Sequence, residues 1–112
     1  WTKKRHDNYP TTDMLLESFG ANDSYENVLR RYLYSAIIDR WRLEGPKWNR
    51  LVGENFIIKY EDLGQASLAL HHDSSEFTIL TALNDSFEGG GTWFHNQKLL
   101  VKNKIGGATF HL

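Results

Sequence analysis

The chain has 112 residues, a formal charge of −1, 40% apolar and 24% charged residues and no cysteine. This is one small soluble-type domain with material for one core, and it excludes disulfides and thiolate metal sites within the segment. The near-neutral charge favours no nucleic-acid surface, and no apolar run approaches the roughly 18 residues of a membrane span.

Residues 1–22 are polar and turn-rich, with Tyr9-Pro10 expected to be extended. The basic run Lys3-Lys4-Arg5 reads as a solvated terminus. The chain opens on Trp1 rather than Met. A processed or trimmed chain is therefore expected, and the lack of a visible leader carries no weight.

Tyr25, Val28, Leu29, Tyr32, Leu33, Ala36, Ile37 and Trp41 then follow the i, i+3, i+4, i+7 spacing of an amphipathic helix. Asp23 with Glu26 predicts a capping-box start, and Gly45-Pro46 a stop. A helix over residues 23–43 would span roughly 30 Å. Trp41 and Trp48 are expected to anchor it and its exit loop.

After Gly53 the period becomes two. Phe56, Ile58 and Tyr60 alternate with their neighbours, as do Phe77, Ile79, Thr81 and Leu83. Shorter apolar runs follow at Thr92–Phe94, Leu99–Val101 and Ala108–Leu112. Turn signals at Asp62-Leu63-Gly64, Asn84-Asp85-Ser86, Gly89-Gly90-Gly91, Asn96 and Gly106-Gly107 separate them. The class is α+β, an antiparallel sandwich or barrel backed by a helix. Without a following Lys-Ser/Thr and helix, the triple glycine reads as a tight turn, not a phosphate cradle.

The segment Leu68–Asp73 contains the sequence His71-His72-Asp73. As a strand it would turn His71 and Asp73 to one face and His72 to the other. An imidazole and a carboxylate so placed can share one cation. Mixed N and O donors suit Fe(II), and less distinctively Mn(II) or Zn(II). Ligation needs neutral imidazole, so acid should release the ion. Alone, H-x-D is a weak motif; its bland reading is a pair of surface or core histidines. Ser75 and Thr78 read as ordinary strand residues, and His6 and His95 as surface ones. Glu88 reads as a turn or cap residue.

Several ordered pieces surround that motif: Tyr9-Pro10-Thr11-Thr12-Asp13, Phe56-Ile57-Ile58-Lys59-Tyr60, then Gln65, Ser67 and Leu68 before His71-His72-Asp73. Phe77-Thr78-Ile79, Ala82-Leu83-Asn84, Phe87-Glu88-Gly89-Gly90-Gly91-Thr92 and Gly106 through His111 follow. From Pro10 onward the set resembles the catalytic domain of procollagen lysyl hydroxylases, within the prolyl 4-hydroxylase-like iron- and 2-oxoglutarate-dependent dioxygenases.

The resemblance implies a double-stranded β-helix (jelly roll) core backed by the long helix, in a single dioxygenase-like domain over residues 1–112. It implies that His71 and Asp73 are metal ligands and catalytic residues. Fe(II) with 2-oxoglutarate as co-substrate is the implied cofactor set, which can extend to ascorbate. The implied reaction hydroxylates a peptidyl lysine or proline and yields succinate and CO₂. A peptide or protein substrate follows, in the endoplasmic reticulum lumen or secretory pathway if the likeness extends to location. Tyr60, eleven positions before His71, matches a Tyr that contacts 2-oxoglutarate; its other reading is a core aromatic with a satisfied hydroxyl.

The likeness departs in three places. The family's distal histidine ligand and the basic partner of 2-oxoglutarate have no counterpart. His111 lies 40 positions after His71, too early for that ligand. Leu80 replaces a polar Asn, which weakens lysine as the target. The last core strands are thus expected to be missing from this chain, and the 112-residue chain alone to be inactive. The alternative is a catalytically inactive jelly-roll relative used for binding or assembly.

Overall fold

The computed structural model describes residues 1–3, 5, 11–44 and 53–112. They form two compact units, Trp1–Ala69 and Leu70–Leu112. The fold is α+β, with two helices and short antiparallel strands.

The first unit starts with a strand not foreseen in the polar N-terminal stretch. Strand β1 (Asp13–Leu15) pairs antiparallel with β2 (Phe56–Ile58), in register Asp13↔Ile58 to Leu15↔Phe56. Thr2 bridges Asp13 through two backbone hydrogen bonds of 2.8 and 3.0 Å. Polarity hid this strand because the polar residues that lead into and open it are buried: Thr11, Thr12 and Asp13. Asp13 is fully buried and meets Arg5 Nε at 2.7 Å. The Thr11 hydroxyl donates to its other oxygen. Arg5 thus departs from the solvated basic terminus expected, since its side chain is only 16% exposed, whereas Lys3 is exposed. Tyr9-Pro10, His6, Lys4, Gly45-Pro46 and Trp48 lie outside the described residues.

A 3₁₀ turn (Leu16–Phe19) closes on Gly20 at φ 74°. Backbone bonds from Gly20 to Glu17 and from Ala21 to Leu16 finish it, the pair that satisfies the last carbonyls of a helical turn. Two helices follow, α1 (Asn22–Tyr32) and α2 (Tyr34–Trp41). The single helix expected over 23–43 is therefore bent at Leu33, whose φ is −118°. Leu33 N still bonds Leu29 O, and Ile37 N bonds Leu33 O. The i, i+4, i+8 row Leu29, Leu33, Ile37 thus runs across the bend, with Leu29 and Ile37 buried. The helix ends before Gly45, at Arg42, which takes the left-handed position itself at φ 49°.

The expected capping box does not form. The N-cap is Ala21 and has no side-chain cap bond. Glu26 instead accepts from Asn55 Nδ2 at 2.7 Å and from the Tyr34 hydroxyl at 3.0 Å. Asn55 also donates to Asn22 Oδ1 at 3.0 Å, which ties α1 to the segment leading into β2. Burial, and then the Glu26 bond, push the Tyr34 phenol up to about 12. The folded state therefore holds this proton more tightly than the unfolded chain does, whose tyrosines titrate near 10. The stabilisation is complete below about pH 10 and disappears as the pH rises towards 12. In a tyrosinate absorbance titration, Tyr34→Phe is expected to remove the latest-ionising phase, and Glu26→Gln to move it to lower pH.

The second unit holds two ribbons. Strand β3 (Thr78–Thr81) pairs antiparallel with β6 (Ala108–His111), from Thr78↔His111 to Thr81↔Ala108. Between them in sequence, β4 (Thr92–Phe94) and β5 (Leu99–Val101) form a hairpin with Lys98 at φ 52° in its loop. The period-two runs thus became strands, shorter than their patterns. Asn103 locks β6 to β3, donating to Leu80 O at 3.1 Å and accepting from the Thr109 hydroxyl at 2.9 Å. Gly91 has φ 104°, and a Cβ there would sit 2.9 Å from Val101 O, so the backbone crossing into β4 requires glycine. Glu88 is exposed in the turn that precedes it.

Residues 68–73, read as a strand, form none. A strand needs a ladder partner for its N–H and C=O groups, and none pairs with this segment among the described residues. Every fully buried side chain among the described residues belongs to the first unit. The second unit is held by its two ladders and by polar side-chain bonds around half-buried strands.

Candidate metal centre

The site lies at the open end of the β3–β6 ribbon. Thr78 opens β3 and His111 closes β6. As directly opposed partners, their side chains stand on one face, close together. The chain before β3 runs back over that end and delivers Asp73 to it. Thr78 Oγ1 donates to Asp73 Oδ2 at 2.6 Å, and Ser75 Oγ lies 2.8 Å from Thr78 Oγ1. His111 Nε2 is 3.7 Å from the same carboxylate oxygen, beyond hydrogen-bond range. Its ring packs edge-on to Phe94, centroids 5.0 Å apart at 76°. The other oxygen, Oδ1, faces His71 Nε2 at 3.2 Å.

His71 and Asp73 therefore converge, although not by strand alternation, since the segment is not a strand. A looping backbone carries both side chains to one point. His72 is exposed. Two donors held cis on an octahedral ion, each at about 2.1 Å, lie about 3 Å apart. The 3.2 Å between His71 Nε2 and Asp73 Oδ1 fits that spacing. The side chains are 24% and 28% exposed, open enough for an ion and further ligands to enter. Among the described residues no group of three His, Cys, Asp or Glu side chains could hold a metal ion. His111 sits on the far oxygen of Asp73 rather than beside His71.

Tyr60 lies in the first unit, two residues past β2, with half its surface exposed. Burial of the remainder raises its phenol above the ordinary tyrosine value. His95 is exposed at the start of the β4–β5 loop. Leu80 is half-buried within β3.

Thr78, Ser75 and His111 were not legible as site residues. Hydroxyls in a strand and a histidine at its end are common, and nothing in their spacing marks the register that makes Thr78 and His111 neighbours. The available signal was the i, i+3 pair of hydroxyls directly after the acidic residue.

Curated relatives are named procollagen lysine hydroxylases, some as 2-oxoglutarate 5-dioxygenases and some as glycosyltransferases as well. Procollagen-lysine,2-oxoglutarate 5-dioxygenase 2 of Mus musculus is 30% identical over 108 residues, 94% of this chain. Multifunctional procollagen lysine hydroxylase and glycosyltransferase LH3 of Homo sapiens is 31% identical over 110 residues, 95% of this chain. The procollagen lysyl hydroxylase and glycosyltransferase of Acanthamoeba polyphaga mimivirus is 31% identical over 109 residues, 94% of this chain. The chain belongs to the procollagen lysyl hydroxylase family. The chain spans 14%, 15% and 12% of the lengths of these three relatives. No family model matches, and no solved structure does. No described helix is long and apolar enough to cross a membrane.

Proposed function

We propose that the protein carrying this chain is an Fe(II)- and 2-oxoglutarate-dependent oxygenase of the procollagen lysyl hydroxylase type, acting on a peptidyl lysine or proline. The observation that supports this most directly is the approach of His71 Nε2 to Asp73 Oδ1 at 3.2 Å. It lies inside a segment similar to named lysine 2-oxoglutarate dioxygenases over nearly its whole length. His71 and Asp73 hold the metal, presenting one imidazole nitrogen and one carboxylate oxygen from the same side. Fe(II) with 2-oxoglutarate supplies the oxidising power for C–H hydroxylation, releasing succinate and CO₂. Tyr60 is assigned to 2-oxoglutarate contact. The double-stranded β-helix is the fold proposed for the core, with the antiparallel β3–β6 and β4–β5 pairings as parts of it.

A non-catalytic relative used for binding or assembly is the second reading. It draws on the lack of a third ligand among the described residues. Incubating the whole protein with Fe(II), 2-oxoglutarate and lysine- or proline-containing peptides separates the two. The enzyme reading expects succinate in step with peptide that has gained one oxygen atom. Succinate at background with every peptide, together with no Fe(II) retained, would favour the binding module.

A further inference from the structure

We infer that Thr78 is a positioning residue that fixes which oxygen of Asp73 is offered to the metal. The inference rests on His71 and Asp73 being the ligands.

The proton count sets the direction of the bonds. A threonine hydroxyl has one proton, and Thr78 gives it to Asp73 Oδ2 at 2.6 Å. In the 2.8 Å contact with Ser75, Thr78 is therefore the acceptor and Ser75 the donor. The result is a relay in one sense: Ser75 O–H to Thr78 Oγ1, Thr78 O–H to Asp73 Oδ2. A hydroxyl bonded to a carboxylate at this length is a charge-assisted bond, and the second hydroxyl polarises it further.

The relay has a chemical consequence. With Oδ2 engaged by Thr78 and bounded by the His111 ring, Oδ1 alone turns to His71. Asp73 is thereby presented as a one-oxygen ligand. A carboxylate free to rotate could close on a cation with both oxygens and take a further coordination position. The facial arrangement of two histidines and one carboxylate leaves three positions open, and a chelating 2-oxo acid needs two of them. Thr78 keeps Asp73 from competing for them. Thr78 is suited to the task because it is pinned twice, by its rotamer as a β-branched residue and by the Thr78↔His111 register of β3 and β6.

The test is Co(II) titration of the whole protein, followed by the visible absorption of bound Co(II), which reports both affinity and coordination number. Thr78→Val keeps shape and strand preference while deleting the hydroxyl. It is expected to weaken Co(II) by about 10- to 100-fold and to alter the absorption band, as loss of an outer partner does. Thr78→Ser restores the hydroxyl and is expected to bind within about threefold of the unaltered protein. Asp73→Ala is the control for the ligand assignment. If Thr78→Val binds Co(II) unchanged while Asp73→Ala loses it, the positioning role is wrong and the ligand assignment stands. If Thr78→Ser is as weak as Thr78→Val, the effect is structural and the inference also fails. If Asp73→Ala binds as tightly as the unaltered protein, the metal-site reading itself is overturned.

Discussion

His71→Ala and Asp73→Ala are each expected to abolish 2-oxoglutarate turnover by the whole protein and leave its circular dichroism and melting unchanged. The two outcomes separate because neither residue belongs to the buried core; both sit at the open end of the β3–β6 ribbon, about a quarter exposed. Substitutions at such positions usually move stability by no more than about 0.5 kcal/mol. The loss of function should be much larger. Removing an outer partner of a ligand typically weakens a site by about 10- to 100-fold, and removing a ligand itself should exceed that. His72→Ala is the internal comparison. His72 is exposed and contributes no ligand under this assignment, so turnover should stay within about threefold, well short of a ligand's loss. A His71→Ala protein that still converts 2-oxoglutarate at the unaltered rate would remove His71 from the site.

Arg5→Ala should be the most destabilising single change in the first unit. Asp13 is fully buried in β1, and Arg5 Nε stands 2.7 Å from its Oδ1. The same guanidinium makes two bonds to Glu54, at 3.0 and 2.8 Å, and lies 4.7 Å over the Phe56 ring. Those contacts, led by the Glu54 hydrogen bonds, raise its proton affinity further. One side chain thus joins the N-terminal segment, β1 and the lead into β2. Truncating it deprives a buried carboxylate of its cation, a loss of about 3–5 kcal/mol where such pairs have been broken. Small domains are stable by only about 5–15 kcal/mol, so urea unfolding should show a midpoint shift large enough to leave this unit partly unfolded in mild denaturant. Arg5→Lys should recover only part, because an ammonium cannot serve two carboxylates through a planar fork. Replacing both members, Arg5→Met with Asp13→Leu, should be milder than Arg5→Ala alone, since no buried charge is left behind. A shift below about 1 kcal/mol for Arg5→Ala, the range of exposed ion pairs, would show that the pair is not a structural anchor.

Local patterns carried much of this architecture. The 3.6-residue period placed helix within a residue of Asn22, because Leu29, Leu33 and Ile37 must share a face wherever that helix packs. The two-residue period placed β2 and β3, and the short apolar runs between turn signals placed β4, β5 and β6. The His71-His72-Asp73 motif and its ordered neighbours pointed to one chemical class, since residue type and order along the chain need no knowledge of the fold.

Other features depended on pairing between distant residues. Asp13 lies in a stretch that reads as polar and turn-rich until Arg5 and the β1–β2 ladder bury it. Glu26 reads as a cap until Asn55, 29 residues on, takes its carboxylate. Residues 68–73 alternate like a strand yet form none, because a strand is defined by a partner and not by its own pattern. His111 reaches Asp73 only through the β3–β6 register, which sets it opposite Thr78, 33 positions earlier in the chain. What the sequence by itself determined was therefore the helix, the strand tendency after Gly53 and the spacing of His71 and Asp73 two positions apart. Which oxygen of Asp73 faces His71, and which hydroxyl holds the other, was decided by the tertiary structure alone. Hydrogen-bond direction and cross-strand register are properties of pairs, and no residue carries them by itself.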